Sequence, residues 1–343
     1  MGLMSYVARR ILLMIPTLIG VTLLIFAVTQ MIDPVSRAML YIKSEKELQH
    51  IDDIISRYGL NDPVYLQYGR WIQQILTGNL GWSVSTRLPV LKALSTRFPA
   101  TFELVIFSIP PTILLGIYLG VKSAVHKDKA IDHVTRTVSI IGWSLPTFWL
   151  AIVLLSFCYG RYHLFPPSRL TEAAIQFIHT EQFISYTGLY TIDGLLNGQP
   201  WITLDAIQHL VLPVVTLTVV QIALIIRVMR SSMLETLHKG YIFTARAKGL
   251  ANKQVINKHA RRNALIPIIT LSGMLAAGML TGVIITETVF DFNGIGRFAA
   301  TAATRLDTSA VLGFSLLAGV IFVVANLIVD IAYAYVDPRI RLG

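Results

Sequence analysis

Charge is scarce in this chain. Of its 343 residues only 14% are Asp, Glu, Lys or Arg, while 54% are hydrophobic; soluble domains carry about 25% charged residues. At a mean hydropathy of +0.62, too little polar surface remains to coat a water-soluble globule, and disorder and collagen are excluded as well. Cysteine is almost missing: Cys158 stands alone in an apolar run, which rules out an intrachain disulfide and a thiolate metal cluster. There is no GxxxxGK(S/T) phosphate loop, so the chain cannot by itself couple ATP hydrolysis to work. The eight histidines are scattered without ligand spacing, so no metal site is expected.

What the chain does have is long apolar runs. Stretches near the 20 residues that cross a bilayer occur at 11–32, 138–160, 208–226, 265–286 and 308–329. A sixth, 102–121, is interrupted near its start by Glu103, and helix continuation carries the last to 336. Hydrocarbon offers no partner to backbone N–H and C=O groups, and barrel strands would alternate polar and apolar residues, so an all-α membrane protein of six helices is expected. Arg9 and Arg10 precede the first run as in a signal peptide, but its length and its QMIDPV ending, without a small-x-small cleavage site, predict a retained helix.

The remaining puzzle is a formal charge of +10. With the N-terminus placed inside, segments 1–10, 122–137, 227–264 and 337–343 hold 17 Lys and Arg in 71 residues. Segments 33–101, 161–207 and 287–307 hold 12 in 137 residues. The positive-inside rule therefore predicts that both termini are cytoplasmic. Of the outer segments, 33–101 reads as a helical external subdomain, because Val64, Tyr68, Trp71, Ile72 and Ile75 recur near helical spacing. Segment 161–207, with Pro166, Pro167 and a GLLNGQP cluster, reads as a second external insertion of undefined structure.

Residues 227–264 carry nine of the basic residues. Leu234, Leu237, Tyr241 and Ala245 make one apolar stripe on an otherwise polar helix. Gly249 suits a helix end, and Asn252 suits the cap of a second short helix bearing Val255 and Ile256. Lys248, Lys253, Lys258, Arg261 and Arg262 keep this unit out of the bilayer. Two readings fit: a basic amphipathic loop on anionic headgroups, or a docking helix for a soluble partner.

Here the residues resemble a family. TARAKGL followed by KHARRNALIP resembles the coupling loop of inner-membrane permease subunits of ABC importers, in the branch that contains dipeptide, oligopeptide and nickel permeases. Ala245 and Gly249 match the general motif, Phe243 stands where it has Glu, and Leu265, Ile266 and Pro267 form the distal element, farther from the Gly than in sugar permeases. The resemblance extends along the chain through YVARRILLMIPTLIGV, GLNDPVYLQY, GNLGWS, RFPATFEL, SLPTFWL, ETVFDFNGIGR and DPRIR. Asn293 replaces the Pro that the family commonly has before the Gly.

The resemblance implies a type I ABC importer permease fold with a five-helix core at 102–343. It also implies a non-catalytic transport subunit working with a second homologous permease, two cytoplasmic ATPases that carry ATP and Mg, and an external solute-binding protein. No cofactor would be bound by this chain. The implied ATPase-coupling residues are Tyr241, Thr244, Ala245, Arg246, Ala247, Lys248, Gly249 and Leu250. Glu287, Phe290, Gly294, Gly296 and Arg297 form a polar, Gly-bent segment that reads as an outer gate, or as a connecting loop with an Arg–carboxylate pair. Ionisable and amide groups within spans default to functional candidates: Glu103, Gln221, Asn326 and Asp330. For Glu103 contact with water or a cap at the helix start beside Thr101, for Gln221 and Asn326 bonds between helices, and for Asp330 a pair with an Arg or Lys of a neighbouring segment are the structural alternatives. Gly278 and Gly282 form a GxxxG-type pair suited to close helix approach. An intramembrane hydrolase lacks a histidine base, since only His209 nears a span. An ion-driven transporter would carry more intramembrane carboxylates. Peptides, nickel and other small solutes remain open as cargo.

Overall fold

A computed structural model describes residues 3–336; the DPRIR motif and the rest of 337–343 lie outside the described residues. The chain opens with α1 (Leu3–Thr29) and then builds a helical subdomain. Its α2 (Pro34–Ala38) starts under an Asp33 side chain that accepts the Ser36 N–H at 2.9 Å. It continues through a 3₁₀ turn (Glu45–His50), α3 (Ile51–Tyr58) and α4 (Val64–Leu76). Trp71 and Trp82 are buried against Phe26 of α1 and Leu312, with Tyr68, Ile72 and Ile75 packed alongside. Val64, at the helix start, is exposed. A two-stranded antiparallel pair, Trp82–Ser83 with Leu88–Pro89, is the only strand structure among the described residues.

Next comes α5 (Val90–Val125), which begins twelve residues before the apolar run from 102. Residues 90–101 thus belong to a core helix and not to the external subdomain. At 36 residues α5 is about 54 Å long, well beyond the ~30 Å hydrocarbon. The run at 138–160 is not one straight helix. It is α6 (Ala130–Ser144) and α7 (Thr147–Leu154), bent by 98°, followed by a π-helical turn at Leu155–Arg161. Pro146 removes an N–H and pushes Leu145 into an extended conformation, φ −74° and ψ 125°, which breaks the helix there.

The second insertion is ordered by α8 (Glu172–Ile178) and α9 (Tyr190–Leu196), with Leu170, Ala174, Phe183, Ile202 and Ala206 as its core. Pro200 then starts α10 (Pro200–Leu237), a single 38-residue helix; the first turn accommodates proline because its N–H has no intrahelical partner. The helix runs past both ends of the expected span at 208–226. α5 and α10 pack side by side: a Cβ on Gly116 or Gly120 would lie 2.5 Å from Ile225 or 2.7 Å from Met229.

After α10 come α11 (Gly240–Ala247), α12 (Asn252–Gln254), a π-helical turn at Val255–Ala260 and α13 (Arg261–Ala264). This stretch joins α14 (Ile266–Leu280) at a 50° bend. α14 ends six residues short of the expected 286, where Gly282 turns the chain at φ +104°. Short α15 (Ile284–Val289) and α16 (Ile295–Thr304) lead into α17 (Thr308–Val336), which packs on α1 and α14. Among the described residues four helices, α1, α5, α10 and α17, are long and apolar enough to cross a bilayer, and up to six crossings result if each bent pair counts as one.

The α5–α10 contact generates a prediction. Gly120→Val should overpack Met229 and the Ile226 carbonyl, costing about 1–3 kcal/mol, and should lower the melting temperature of the detergent-solubilised chain. An unchanged melting temperature would show that the two helices do not pack this closely.

Candidate functional site

The basic end of the bundle is built around the junction of α10 with α11. α10 stops at Leu237 and the chain turns at His238 and Lys239 before α11 begins. The turn resets the helical phase, so the stripe expected at Leu234, Leu237, Tyr241 and Ala245 is not one face. Ile242 and Ala245 are buried, with Leu234 and Leu237 packed beside their cluster, while Tyr241 is exposed. The core under α11 is completed by Met229, Met233, Val255 and Ala260. Ala245 is therefore covered by its own chain, 7% exposed.

Gly249 closes α11 with φ +76°. Its N–H donates to the Arg246 carbonyl at 2.9 Å and the Leu250 N–H donates to that of Ala245, a Schellman arrangement that uses orphan carbonyls. A Cβ at Gly249 would meet nothing within 4 Å; backbone angle, not space, favours glycine there. Asn252 is not a cap: Ala251 precedes the helix and no side-chain bond forms there. What α11 presents outward is Tyr241, Phe243, Thr244, Arg246, Ala247, Lys248, Gly249 and Leu250, all exposed. Phe243 is 58% exposed. This is an apolar patch edged by two cations.

Two residues that sequence reasoning passed over anchor this unit. Asp132, at the start of α6, is fully buried. Arg230 on α10 grips it with both Nε and Nη2, each at 2.7 Å. The Ser123 hydroxyl from α5 and the Asp128 N–H also donate to it. One carboxylate thus ties α5, α6 and α10 together about two turns before α10 ends. Ionisable side chains at adjacent helix ends were the available signal, but 98 residues separate the pair.

The opposite end holds the Glu287 turn. Glu287 is fully buried: one oxygen accepts the Thr101 hydroxyl at 2.7 Å and the other the Arg297 N–H at 2.7 Å. The Thr101 oxygen in turn accepts the Ile295 N–H at 2.9 Å. Burial pushes the Glu287 carboxyl upward, and these donors oppose it. Phe290 is buried, and the Arg297 side chain pairs with Asp291. A Cβ on Gly294 would fall 2.4 Å from Glu287, and one on Gly282 would fall 2.4 Å from the Gly296 Cα. The five expected turn residues are thus one folded unit locked to α5. Gly278 meets nothing within 4 Å, so the Gly278–Gly282 pair makes no GxxxG helix contact among the described residues.

The four expected pathway residues are dispersed. Glu103 is buried in the middle of α5 and does not cap its own helix; instead it serves the first turn of α9. It accepts Arg169 Nη2 at 2.6 Å and both the N–H and hydroxyl of Thr191 at 2.8 Å, tying α5 to the second insertion. Arg169 also lies 4.1 Å over the Tyr190 ring. Asp330 pairs with Arg10 at 3.1 Å, joining α17 to α1. Gln221 and Asn326 make no side-chain hydrogen bond among the described residues. No group of three metal-ligating side chains occurs among the described residues.

The Asp132 clamp yields the next prediction. Arg230→Met leaves a buried carboxylate without its charge partner and should cost about 3 kcal/mol. Asp132→Leu combined with Arg230→Met should recover most of that loss in thermal melts. Equal losses in the single and double variants would contradict the pairing.

Comparison with known proteins agrees with this architecture. Residues 112–342 match the family described as binding-protein-dependent transport system inner membrane component. A dipeptide transport system permease protein of Alkalihalophilus pseudofirmus is 37% identical over 99% of this chain and 100% of its own length. The dipeptide transport system permease protein of Escherichia coli K12 is 36% identical over 99% of each chain. An oligopeptide transport system permease protein of Bacillus subtilis is 32% identical over 98% of this chain and 99% of its own. The chain is a multi-pass, non-catalytic permease subunit with a type I ABC importer fold, and it belongs to the family of inner-membrane components of binding-protein-dependent transport systems.

Proposed function

We propose that this chain forms, with a second homologous permease, the translocation path of an importer for di- and oligopeptides. The peptide is delivered by an external solute-binding protein, and the work comes from two cytoplasmic ATPases that bind ATP and Mg; this chain binds no cofactor. The basic end faces the cytoplasm together with both termini, which the distribution of 17 basic residues in 71 supports. Peptide cargo is supported by the names of the relatives.

The observation that carries this reading is the α10–α11 unit. A docking helix needs an exposed apolar contact, fixed geometry and a rigid connection to the spans. Tyr241, Phe243 and Leu250 supply the contact, the Gly249 closure fixes the geometry, and the Arg230–Asp132 clamp supplies the connection. Thr244, Arg246 and Lys248 form the polar rim against the ATPase, Ala247 leaves room for close approach between them, and Ala245 supports the helix from below. Closure of the ATPase pair displaces α11, and α10, α5 and α6 follow as one body. The path then switches between two states through differential contacts. At the outer end Glu287, Phe290, Gly294, Gly296 and Arg297 form the gate, a compact turn next to the path. Gln221 and Asn326, whose side chains make no hydrogen bond among the described residues, face the path or the second permease, whereas Glu103 and Asp330 hold helices in place.

Phe243→Glu tests the docking surface, because an exposed side chain can be changed without unfolding the helix. Affinity for the ATPase in detergent should fall at least about tenfold, as for a buried apolar anchor at an interface, and ATP-driven uptake should be lost at an unchanged melting temperature. Normal ATPase association would remove the assignment.

A further inference from the structure

Beside the Glu287 turn lies a polar cavity of about 550 Å³. It is bounded by Arg97 of α5, by Ser168 of the second insertion, and by Asp291, Asn293, Arg297 and Phe298. Its charges do not balance. Asp291 is committed to Arg297, whereas Arg97 forms no ion pair with any described residue. Its Nη1 donates to the Ala93 carbonyl of its own helix at 3.0 Å, and its guanidinium carbon stands 5.1 Å from the centre of the Phe298 ring. That contact steadies the cation and leaves donors of the fork for a ligand. The side chains of Ser168 and Asn293 make no hydrogen bond among the described residues, so a hydroxyl and an amide also stand ready. Two other arginines in the same half of the molecule are engaged by carboxylates: Arg169 holds Glu103, and Arg70 holds Asp62.

We infer that Arg97 is the centre of a carboxylate-binding subsite at the outer mouth of the path, and that it takes the C-terminal carboxylate of the solute in transit. The planar fork of a guanidinium matches a carboxylate in bidentate geometry, which a lysine cannot reproduce. A partly buried site with one surplus positive charge favours an anion over a neutral or cationic group. The Asn293 amide and the Ser168 hydroxyl add donors beside the anion. The inference deepens the peptide reading above and rests on it for the identity of the probe.

The test uses the complete importer in lipid nanodiscs and dialanine as probe, with dialanine amide as its uncharged counterpart. Phenylglyoxal labelling of Arg97, read by mass spectrometry, should be slowed severalfold by millimolar dialanine and not by the amide. In proteoliposomes Arg97→Gln should reduce dialanine uptake about tenfold or more, the effect of losing a hydrogen bond to a charged group. Affinity for the binding protein should stay unchanged, and Arg97→Lys should recover part of the uptake. Equal protection by the two probes, or none, would overturn the subsite. Loss of binding-protein affinity in Arg97→Gln would also overturn it, since Arg97 would then meet an acidic side chain of that protein. Protection by dialanine in an importer that does not carry dialanine would uphold the subsite and overturn the peptide reading.

Discussion

A carboxylate taken out of water must be met by donors or it unfolds its surroundings, and this fold is organised around five that are. Glu103, Asp132, Asp193, Glu287 and Asp307 are all buried. Each gathers segments that the apolar packing alone would leave free to slide. Asp193 receives the Thr187 and Gly188 N–H groups and the Thr187 hydroxyl, closing the second insertion on itself. Asp307 accepts the Ser83 hydroxyl and the Ser85 N–H, fixing the first external segment to the start of α17. Glu103 and Glu287 fasten the outer half of α5 to its surroundings. Asp132 fastens the inner half. Apolar side chains supply most of the burial, but they are interchangeable in register. The carboxylates are not.

This arrangement suits a body that must move without deforming. α5 and α10 are each longer than the bilayer is thick, and each runs as one helix to the basic end, although Pro99, Pro110 and Pro111 in α5 and Pro213 in α10 each leave a rung of the hydrogen-bond ladder unmade. Force applied at α11 passes through a buried, bidentate ion pair into both helices. At the far end the same helices carry the Glu103–Arg169 pair and the Thr101 contact to the Glu287 turn. A displacement at the α11 end would therefore reach the Glu287 turn through packed helices and fixed charges. The glycines that let α5 approach α10 keep that coupling short.

Much of this was legible in the sequence, and the failures have physical causes. Apolar runs marked the four helices long enough to cross a bilayer and both bent pairs, yet they marked the apolar stretch and not the helix. α10 extends by eight residues before and eleven after its run, where helix formers continue into water. Pro146 signalled a break, but the 98° angle depends on what α7 packs against. Gly249 was readable as a helix end because only its backbone freedom mattered. Tyr241 was misassigned because the two-residue turn at His238 shifts the phase, which a stripe drawn through one ideal helix cannot register. The partners of Glu103 and Asp132 lie 66 and 98 residues away. Nothing local identifies them, so Glu103 read as a pathway candidate or a cap, and Asp132 was passed over.

The central claim is that α11 is the element through which an ATPase moves this permease. Cysteine cross-linking from α11 tests it most directly, since Cys158 is the one native cysteine and lies at the far end of the α7 segment. In membranes holding the whole importer, Phe243→Cys should cross-link to a cysteine introduced in the ATPase groove, and ATP should change the yield. A Phe243→Cys variant that never cross-links to the ATPase, in any nucleotide state, while uptake continues would contradict the account.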